Sequence, residues 1–203
     1  MDRQRWDERY GGADFVVPTE PNQFVVAELA GLAPGRALDL AAGGGRNSVW
    51  LAGQGWSVTA VDFSRAGLDH ARKLSAARGI AARVDWVLAD LSDYQPASGA
   101  FDLVLIAYLQ VEAALRVQVL AGAAAALAPG GTLLVVGHDL ANLTEGTGGP
   151  QSPDVLYTPE AITAGLTGLS IVSAARVRRT VERDGETAIA VDTLVRAQRA
   201  AHR

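Results

Sequence analysis

The stretch Arg36-Ala-Leu-Asp-Leu-Ala-Ala-Gly-Gly-Gly-Arg-Asn47 limits the folds open to this chain more than any other. An apolar strand carries an acid near its end and runs into consecutive glycines that open a helix. A strand, a glycine turn and a helix in that order aim bare backbone amides and the positive end of a helix dipole at one point in space. That arrangement holds nucleotide-like ligands.

The flanking pattern extends this unit into a layered fold. Apolar runs of strand length stand at 37–41, 56–61, 84–88, 101–106 and 132–136, separated by helical periodicity or short turns. Asn47 to Gly53 reads as a helix ended by glycine. Ser64 caps a second one carrying Leu68, Ala71 and Leu74 on one face and closed by Gly79. An alanine-rich helix from Glu112 to Leu127 stops at Pro129-Gly130-Gly131, and a further helix, Pro21 to Leu32, precedes the first strand. Strands alternating with helices imply a parallel α/β sheet. Beyond it, Ile171 to Val181 and Thr187 to Arg196 read as an antiparallel hairpin about the Asp184-Gly185 turn.

With 203 residues, 49% of them apolar, the chain suits a single domain. Its expected parts are an N-terminal helical cover (1–34), a ligand-binding core (35–138), a lid loop (139–157) and a closing helix and hairpin (158–203). The 139–157 segment, rich in Gly, Pro, Ser and Thr and without a period, is expected to be a lid or an insert lacking regular structure. No stretch reaches the length of a membrane span, and the opening residues are too charged for a signal peptide, so a cytoplasmic location is expected. The net charge of −4 argues against a nucleic-acid partner. Zero cysteines exclude thiol chemistry, and a single lysine, Lys73, standing in a helical pattern, excludes a P-loop. His138-Asp139 lacks further ligands, because His70 lies in a helical pattern and His202 near the chain end, so no metal site is expected. A small-molecule partner fits best.

In an open α/β sheet the ligand lies beyond the carboxyl ends of the strands, so the residues that follow each strand carry the chemistry. Asp39 stands before Gly43, Gly44 and Gly45. Asp62 ends the second strand, where a carboxylate accepts both hydroxyls of a ribose. Asp90 ends the third, where it accepts from an exocyclic amine such as that of adenine. Ala107-Tyr108 follows the fourth strand and His138 the fifth.

These residues together resemble the class I S-adenosylmethionine-dependent methyltransferases. Asp39-Leu-Ala-Ala-Gly43-Gly-Gly45 is similar to that family's acidic glycine motif, Val61-Asp62-Phe63-Ser64 to its ribose-binding acid, and Leu88-Ala-Asp90-Leu91 to its adenine-binding turn. Leu127-Ala-Pro-Gly130-Gly131 resembles the turn before its fifth strand, and the terminal hairpin its reversed last strand. The resemblance covers about Arg36 to Gly137. It implies a Rossmann-like seven-stranded, mostly parallel sheet with helices on both faces and an antiparallel C-terminal hairpin. It also implies S-adenosyl-L-methionine as cofactor and S-adenosyl-L-homocysteine as product. The cofactor-binding residues would be Asp39, Ala41, Gly43, Gly45, Asn47, Asp62, Phe63, Asp90, Leu91 and Ala107. Ala41 departs from the family's first motif glycine and is expected to take an extended backbone that leaves binding intact. Gly45-Arg46-Asn47-Ser48, with Trp6-Asp7-Glu8-Arg9-Tyr10, resembles the small bacterial branch of tellurite-resistance and thiopurine type, in which the N-terminal segment covers the cofactor.

Within this reading His138 and Tyr108 are the candidate catalytic residues, His138 as general base, and Tyr108, Gln110, His138 and the 139–157 segment face the methyl acceptor. Trp6 and Tyr10 share a helix face and are read first as core aromatics. Arg176, Arg178, Arg179 and Arg183 are read as the solvated face of the hairpin. Ile-Ala107-Tyr108-Leu109-Gln110 lacks the motif of amino-group DNA methyltransferases, and no second glutamate accompanies Glu112 as in protein-arginine enzymes, which leaves a small-molecule acceptor. Two alternatives stand beside it. A nicotinamide-dependent oxidoreductase needs glycine where Ser48 stands, and a non-catalytic S-adenosylmethionine-binding module has Ala41 as its support. The oligomeric state is open.

Overall fold

The computed structural model describes residues 3–12, 15–183 and 185–201. Along the chain run α1 (Arg3–Gly11), α2 (Gln23–Leu29), β1 (Arg36–Leu40), α3 (Arg46–Gly53), β2 (Ser57–Asp62), α4 (Arg65–Ala77) and β3 (Val84–Leu88). They are followed by β4 (Phe101–Ala107), α5 (Ala113–Ala126), β5 (Leu127–His138), α6 (Asn142–Glu145), α7 (Pro159–Ala164), β6 (Ser170–Arg183) and β7 (Glu186–Gln198). One seven-stranded sheet has the order β3-β2-β1-β4-β5-β7-β6. The pairs from β3 to β5 are parallel, while β7 inserts antiparallel between β5 and β6. This is the expected Rossmann-like sheet with its reversed terminal hairpin. Strand order turns back between β1 and β4, so their carboxyl ends open a crevice there.

Both faces of the sheet are covered, which explains strands apolar on both sides. Leu38, Leu40, Val104 and Ile106 pack with Leu120, Leu127 and Ile162 on one face. Ala37, Leu103 and Leu105 pack with Val25, Leu29, Leu51 and Trp56 on the other. Alternate residues of β1 and β4 thereby serve opposite layers, as the period of two requires. Caps fix the helix starts: the Ser64 hydroxyl accepts from the Gly67 amide at 3.0 Å, and Asn22 caps α2 through the amides of Phe24 and Val25.

Three expectations change. The α5 helix ends at Ala126, ahead of Pro129-Gly130-Gly131, because Leu127 is already extended and starts β5. The Pro-Gly-Gly segment loops out between the pairs Phe101↔Leu127 and Leu103↔Thr132 instead of stopping a helix. The segment after β5 is also more ordered than its composition suggests. It carries α6 and a 3-10 turn at Pro153–Val155, and Asp139 pairs in parallel with Tyr157 across its base. Of the hairpin turn, Gly185 adopts φ +80° and Asp184 lies outside the described residues. Among the described residues no helix is long and apolar enough to cross a membrane.

Candidate active site

The glycine loop is fastened before any ligand reaches it. The Ala42 amide donates to the Val61 carbonyl at 3.0 Å and the Gly45 amide to the Ala42 carbonyl at 2.9 Å. The Gly43 amide donates to Asp62 Oδ2 at 2.7 Å, and the Gly44 amide lies within reach of the Tyr10 hydroxyl. The amides of Gly43 to Gly45 are therefore not bare, because the neighbouring strand-end acid and an aromatic of the N-terminal helix supply acceptors. Gly45 has φ +79°, and a Cβ there would stand 2.5 Å from the Ala71 methyl and 2.6 Å from the Trp86 ring, so only glycine fits. Ala41 corrects a second expectation: its φ is +65°, left-handed and not extended, a conformation that costs an L-residue free energy. The turn from β1 demands that backbone whichever residue stands there.

The strand-end acids differ in their surroundings. Asp39 is buried, and its Oδ2 accepts from the Ser48 hydroxyl at 2.6 Å while Oδ1 has no partner. Burial, together with the nearby Asp62 carboxylate, pushes its pKa up to about 7 against the opposing Ser48 hydrogen bond and Arg46. Asp62 is also buried and accepts from the Gly43 amide and, at 2.8 Å through Oδ1, from the Ser64 amide. Burial raises it despite those donors. Each of its oxygens keeps a lone pair for a further donor. Asp90 forms a local turn, with Oδ1 accepting from the Ser92 amide at 3.0 Å and the Ser92 hydroxyl at 2.8 Å. Those bonds hold its carboxyl below the usual range, and Arg3 stands 4.0 Å from Oδ2. Phe63 and Leu91 follow Asp62 and Asp90 half-buried, and Ala107 is half-buried at the end of β4. Asn47 uses its carbonyl oxygen to accept from the Asn22 amide at 2.9 Å, tying α2 to α3.

The α1 helix lies over this loop. Asp7 Oδ1 accepts from the Ser64 hydroxyl at 2.7 Å and the Ala66 amide at 3.1 Å, docking α1 on the start of α4. Trp6 and Tyr10 stack at 5.6 Å as their spacing requires, and the Tyr10 ring lies against Gly67 with its hydroxyl over Gly43. Neither is a core residue: α1 buries no side chain completely. Burial first, and then the Asp62 carboxylate, push the Tyr10 hydroxyl up to about 12.

Beyond β4 and β5 lies a second polar cluster. Tyr108, at φ +60°, donates to Asp192 Oδ2 at 2.7 Å and accepts from the Asn22 amide group at 3.1 Å. Arg179 Nε donates to the same carboxylate oxygen at 2.6 Å, and His138 Nδ1 stands 3.2 Å from Oδ1. The Tyr108 and His138 rings are 4.9 Å apart, with Arg46 and Arg179 over the tyrosine face. Asp192 is wholly buried. Burial alone would raise it, but His138, Arg179 and the Tyr108 hydroxyl together hold it below the usual carboxylate range. Sequence reading found Tyr108 and His138 and missed Asp192 and Arg179. The signal was an acid inside Ala190-Val191-Asp192-Thr193-Leu194-Val195, an apolar strand in which a charge needs a partner.

Of the β6 arginines, Arg176 and Arg178 are exposed as expected, while Arg179 is half-buried. Arg176 Nε bonds the buried Asp139 at 2.9 Å, Arg178 pairs with Glu145 at 2.8 Å, and Arg179 turns inward to Asp192. The Arg183 side chain lies outside the described residues. Asp139 and Asn142 root the segment after β5: Thr193 donates its hydroxyl to Asp139 at 2.6 Å, and the Val191 amide bonds Asn142 Oδ1 at 2.7 Å. The Tyr157 hydroxyl, fully buried, donates to the Leu109 carbonyl. Gly149 closes over the imidazole, since a Cβ there would lie 2.7 Å from the His138 ring.

Residues 37–131 match the family model described as a methyltransferase domain. That stretch, just under half of the chain, is similar to a methyltransferase domain. The match names neither a cofactor nor an acceptor. No curated protein sequence matches the chain. Among solved structures it is similar to one from work on conversion of a disulfide bond into a thioacetal group during echinomycin biosynthesis. That pair shares 24% identity and a TM-score of 0.78 over 99% of this chain and 93% of the other. It is also similar to the N-methyltransferase NodS from Bradyrhizobium japonicum WM9 in complex with S-adenosyl-L-homocysteine, at 18% identity, 97% of both chains and a TM-score of 0.73. TehB from Haemophilus influenzae shares 13% identity and a TM-score of 0.72, covering 97% of this chain and 66% of that one. At these identities the structures share the fold.

Proposed function

We propose that the protein is an S-adenosylmethionine-dependent methyltransferase that transfers the methyl group to a small molecule, with the cofactor across β1, β2 and β3 and the acceptor over β4 and β5. The observation that supports this most is the burial of the acceptor side. His138 keeps 12% of its side chain exposed between Tyr108 and Gly149, an opening for a small molecule and not for a folded chain. The motifs Trp6 to Tyr10 and Gly45 to Ser48 support membership of the small bacterial branch of tellurite-resistance and thiopurine type, with α1 as the cover.

The residues present fit the cofactor. Asp39 Oδ1, buried and without a partner, suits the ammonium of its amino-acid end, beside the backbone of Ala41 to Gly45. Asp62 has two lone pairs left for the ribose hydroxyls, and Asp90, Leu91 and Phe63 flank the adenine position. Asn47 fixes the entry of α3, and Ala107 leaves room at the end of β4. Bound there, the group supplies an electrophilic sulfonium methyl. The protein's own work is to align the acceptor with that methyl and exclude water, with α1 on one side and the 139–157 segment acting as the lid on the other.

Calorimetry with S-adenosylmethionine, S-adenosylhomocysteine and NADPH tests the cofactor, and a thiol, amine and phenol screen for S-adenosylhomocysteine release tests the acceptor. Binding of NADPH alone would overturn the reading in favour of an oxidoreductase. Cofactor binding without release on any acceptor class would favour the binding module.

A further inference from the structure

We infer that His138 and Asp192 form a proton-abstracting pair, Asp192 being the positioning residue, and that the acceptor is therefore a neutral protic nucleophile, a hydroxyl or amine that must lose its proton. The inference deepens the methyl-transfer reading and rests on it.

Three observations carry it. First, His138 Nδ1 and Asp192 Oδ1 are both buried, stand 3.2 Å apart and have no hydrogen-bond partner in this arrangement. A proton on Nδ1 has only that carboxylate to point at, so the neutral imidazole keeps its lone pair on Nε2. Second, Tyr108 is already committed. Its proton lies on Asp192 Oδ2 and its lone pair on the Asn22 amide, and burial with the Asp192 charge raises its pKa far above neutrality. It cannot serve as the base, and it buttresses the imidazole. Third, the pair is charge-balanced. Arg179 from β6 neutralises Asp192, and Arg46 from α3 reaches only the Tyr108 face, so the groups about His138 are Asp192, Arg179, Tyr108 and Arg46. A buried carboxylate with its own arginine stays charged and directs its attraction to the imidazolium that proton transfer creates.

Position agrees. His138 ends the strand two places from β1 in the sheet, about 10 Å from its end at the usual strand spacing. The acceptor thus fits between the imidazole and the methyl group. In the reaction the X–H proton passes to Nε2 and the electron pair of X forms the bond to the methyl carbon. The pair of the breaking carbon–sulfur bond stays on sulfur, and the imidazolium returns its proton to solvent. An acceptor that arrives as an anion needs none of this.

The test uses the whole protein saturated with S-adenosylhomocysteine. Nitrogen-15 histidine spectra, assigned through His138→Gln, are expected to show His138 with its proton on Nδ1, a preference that Asp192→Asn is expected to reduce. At a pH below its own pKa, 4-nitrophenol is expected to gain phenolate absorbance on binding to the wild type and at least tenfold less on binding to His138→Gln. Failure of S-adenosylhomocysteine to bind would strike the methyltransferase reading itself. With binding intact, a proton on Nε2 in the wild type would overturn the pair. So would the absence of phenolate absorbance. The wild-type tautomer decides the matter even if Asp192→Asn does not fold.

Discussion

The two halves of the crevice hold their acids in opposite ways. On the β1–β2 side Asp39 and Asp62 are buried among backbone amides and a hydroxyl, and both are pushed toward protonation. On the β5–β7 side Asp192 is equally buried, yet it is held ionised by His138, Arg179 and Tyr108. A buried carboxylate without a cation waits for one, whereas a buried carboxylate that has its cation is structure. On the proposed reading the first half receives a charged ligand and the second a proton.

The sharpest way to break this contrast is pH. Asp39 keeps its proton up to about pH 7 in the folded protein and loses it near 4 when unfolded. Between those values the folded state binds the extra proton, so stability is greatest below about pH 4 and falls as pH rises through 7, by up to about 4 kcal/mol for this group. Asp62 adds the same sign. Thermal melts of the ligand-free protein across that window are expected to flatten in Asp39→Asn. A melt of unchanged slope would show that Asp39 is not the proton holder. A cationic ligand at Oδ1 reverses the preference, so cofactor affinity is expected to rise over the same window.

Asp62→Ala tests the binding side of the same half. It removes an acceptor for two ligand hydroxyls and leaves the Gly43 and Ser64 amides without theirs, which at about 1.5 kcal/mol per charged hydrogen bond predicts about a 100-fold loss of S-adenosylhomocysteine affinity by calorimetry. An unchanged affinity would remove Asp62 from the site. Gly45→Ala probes the packing beneath the loop. The methyl would meet Ala71 and Trp86 at a left-handed backbone, and a loss of about 2 kcal/mol in denaturant unfolding is expected.

The halves also differ in how far the sequence disclosed them. Asp39, Gly43, Gly45, Asp62 and Asp90 stand at strand ends in chain order, and each bonds to neighbours close in sequence or on the adjacent strand, so pattern and position were enough to find them. The acceptor half joins residues that only the sheet brings together. Tyr108 and Asp192 lie 84 positions apart, and β7 reaches β5 by running backwards. Arg176 and Arg178 are solvated as alternation implies, but alternation assigns a face and not what docks on it, so the turn of Arg179 toward Asp192 was not legible. Here α6 and the inward turn of Asp192 supply the counter-charges. The loop amides looked bare because nothing in a glycine run reveals that Tyr10, from another helix, will lie over it.

Ala41 is the finest probe, because its peculiarity belongs to the backbone and not to either ligand. At φ +65° an alanine carries about 1 kcal/mol of strain that glycine does not. Glycine gives part of that back through the greater freedom of its unfolded chain. Ala41→Gly is therefore expected to stabilise the protein by about 0.5 kcal/mol and to leave S-adenosylhomocysteine affinity within about twofold. If affinity rose tenfold or more, the alanine methyl would be obstructing the ligand and the chain would lean toward a weakened binding module. If stability fell, the left-handed turn would be held by contacts of the methyl group itself. The expected small gain instead marks Ala41 as a tolerated strain in a loop whose shape is dictated by the β1 turn and the bonds from Ala42 to Val61 and from Gly43 to Asp62.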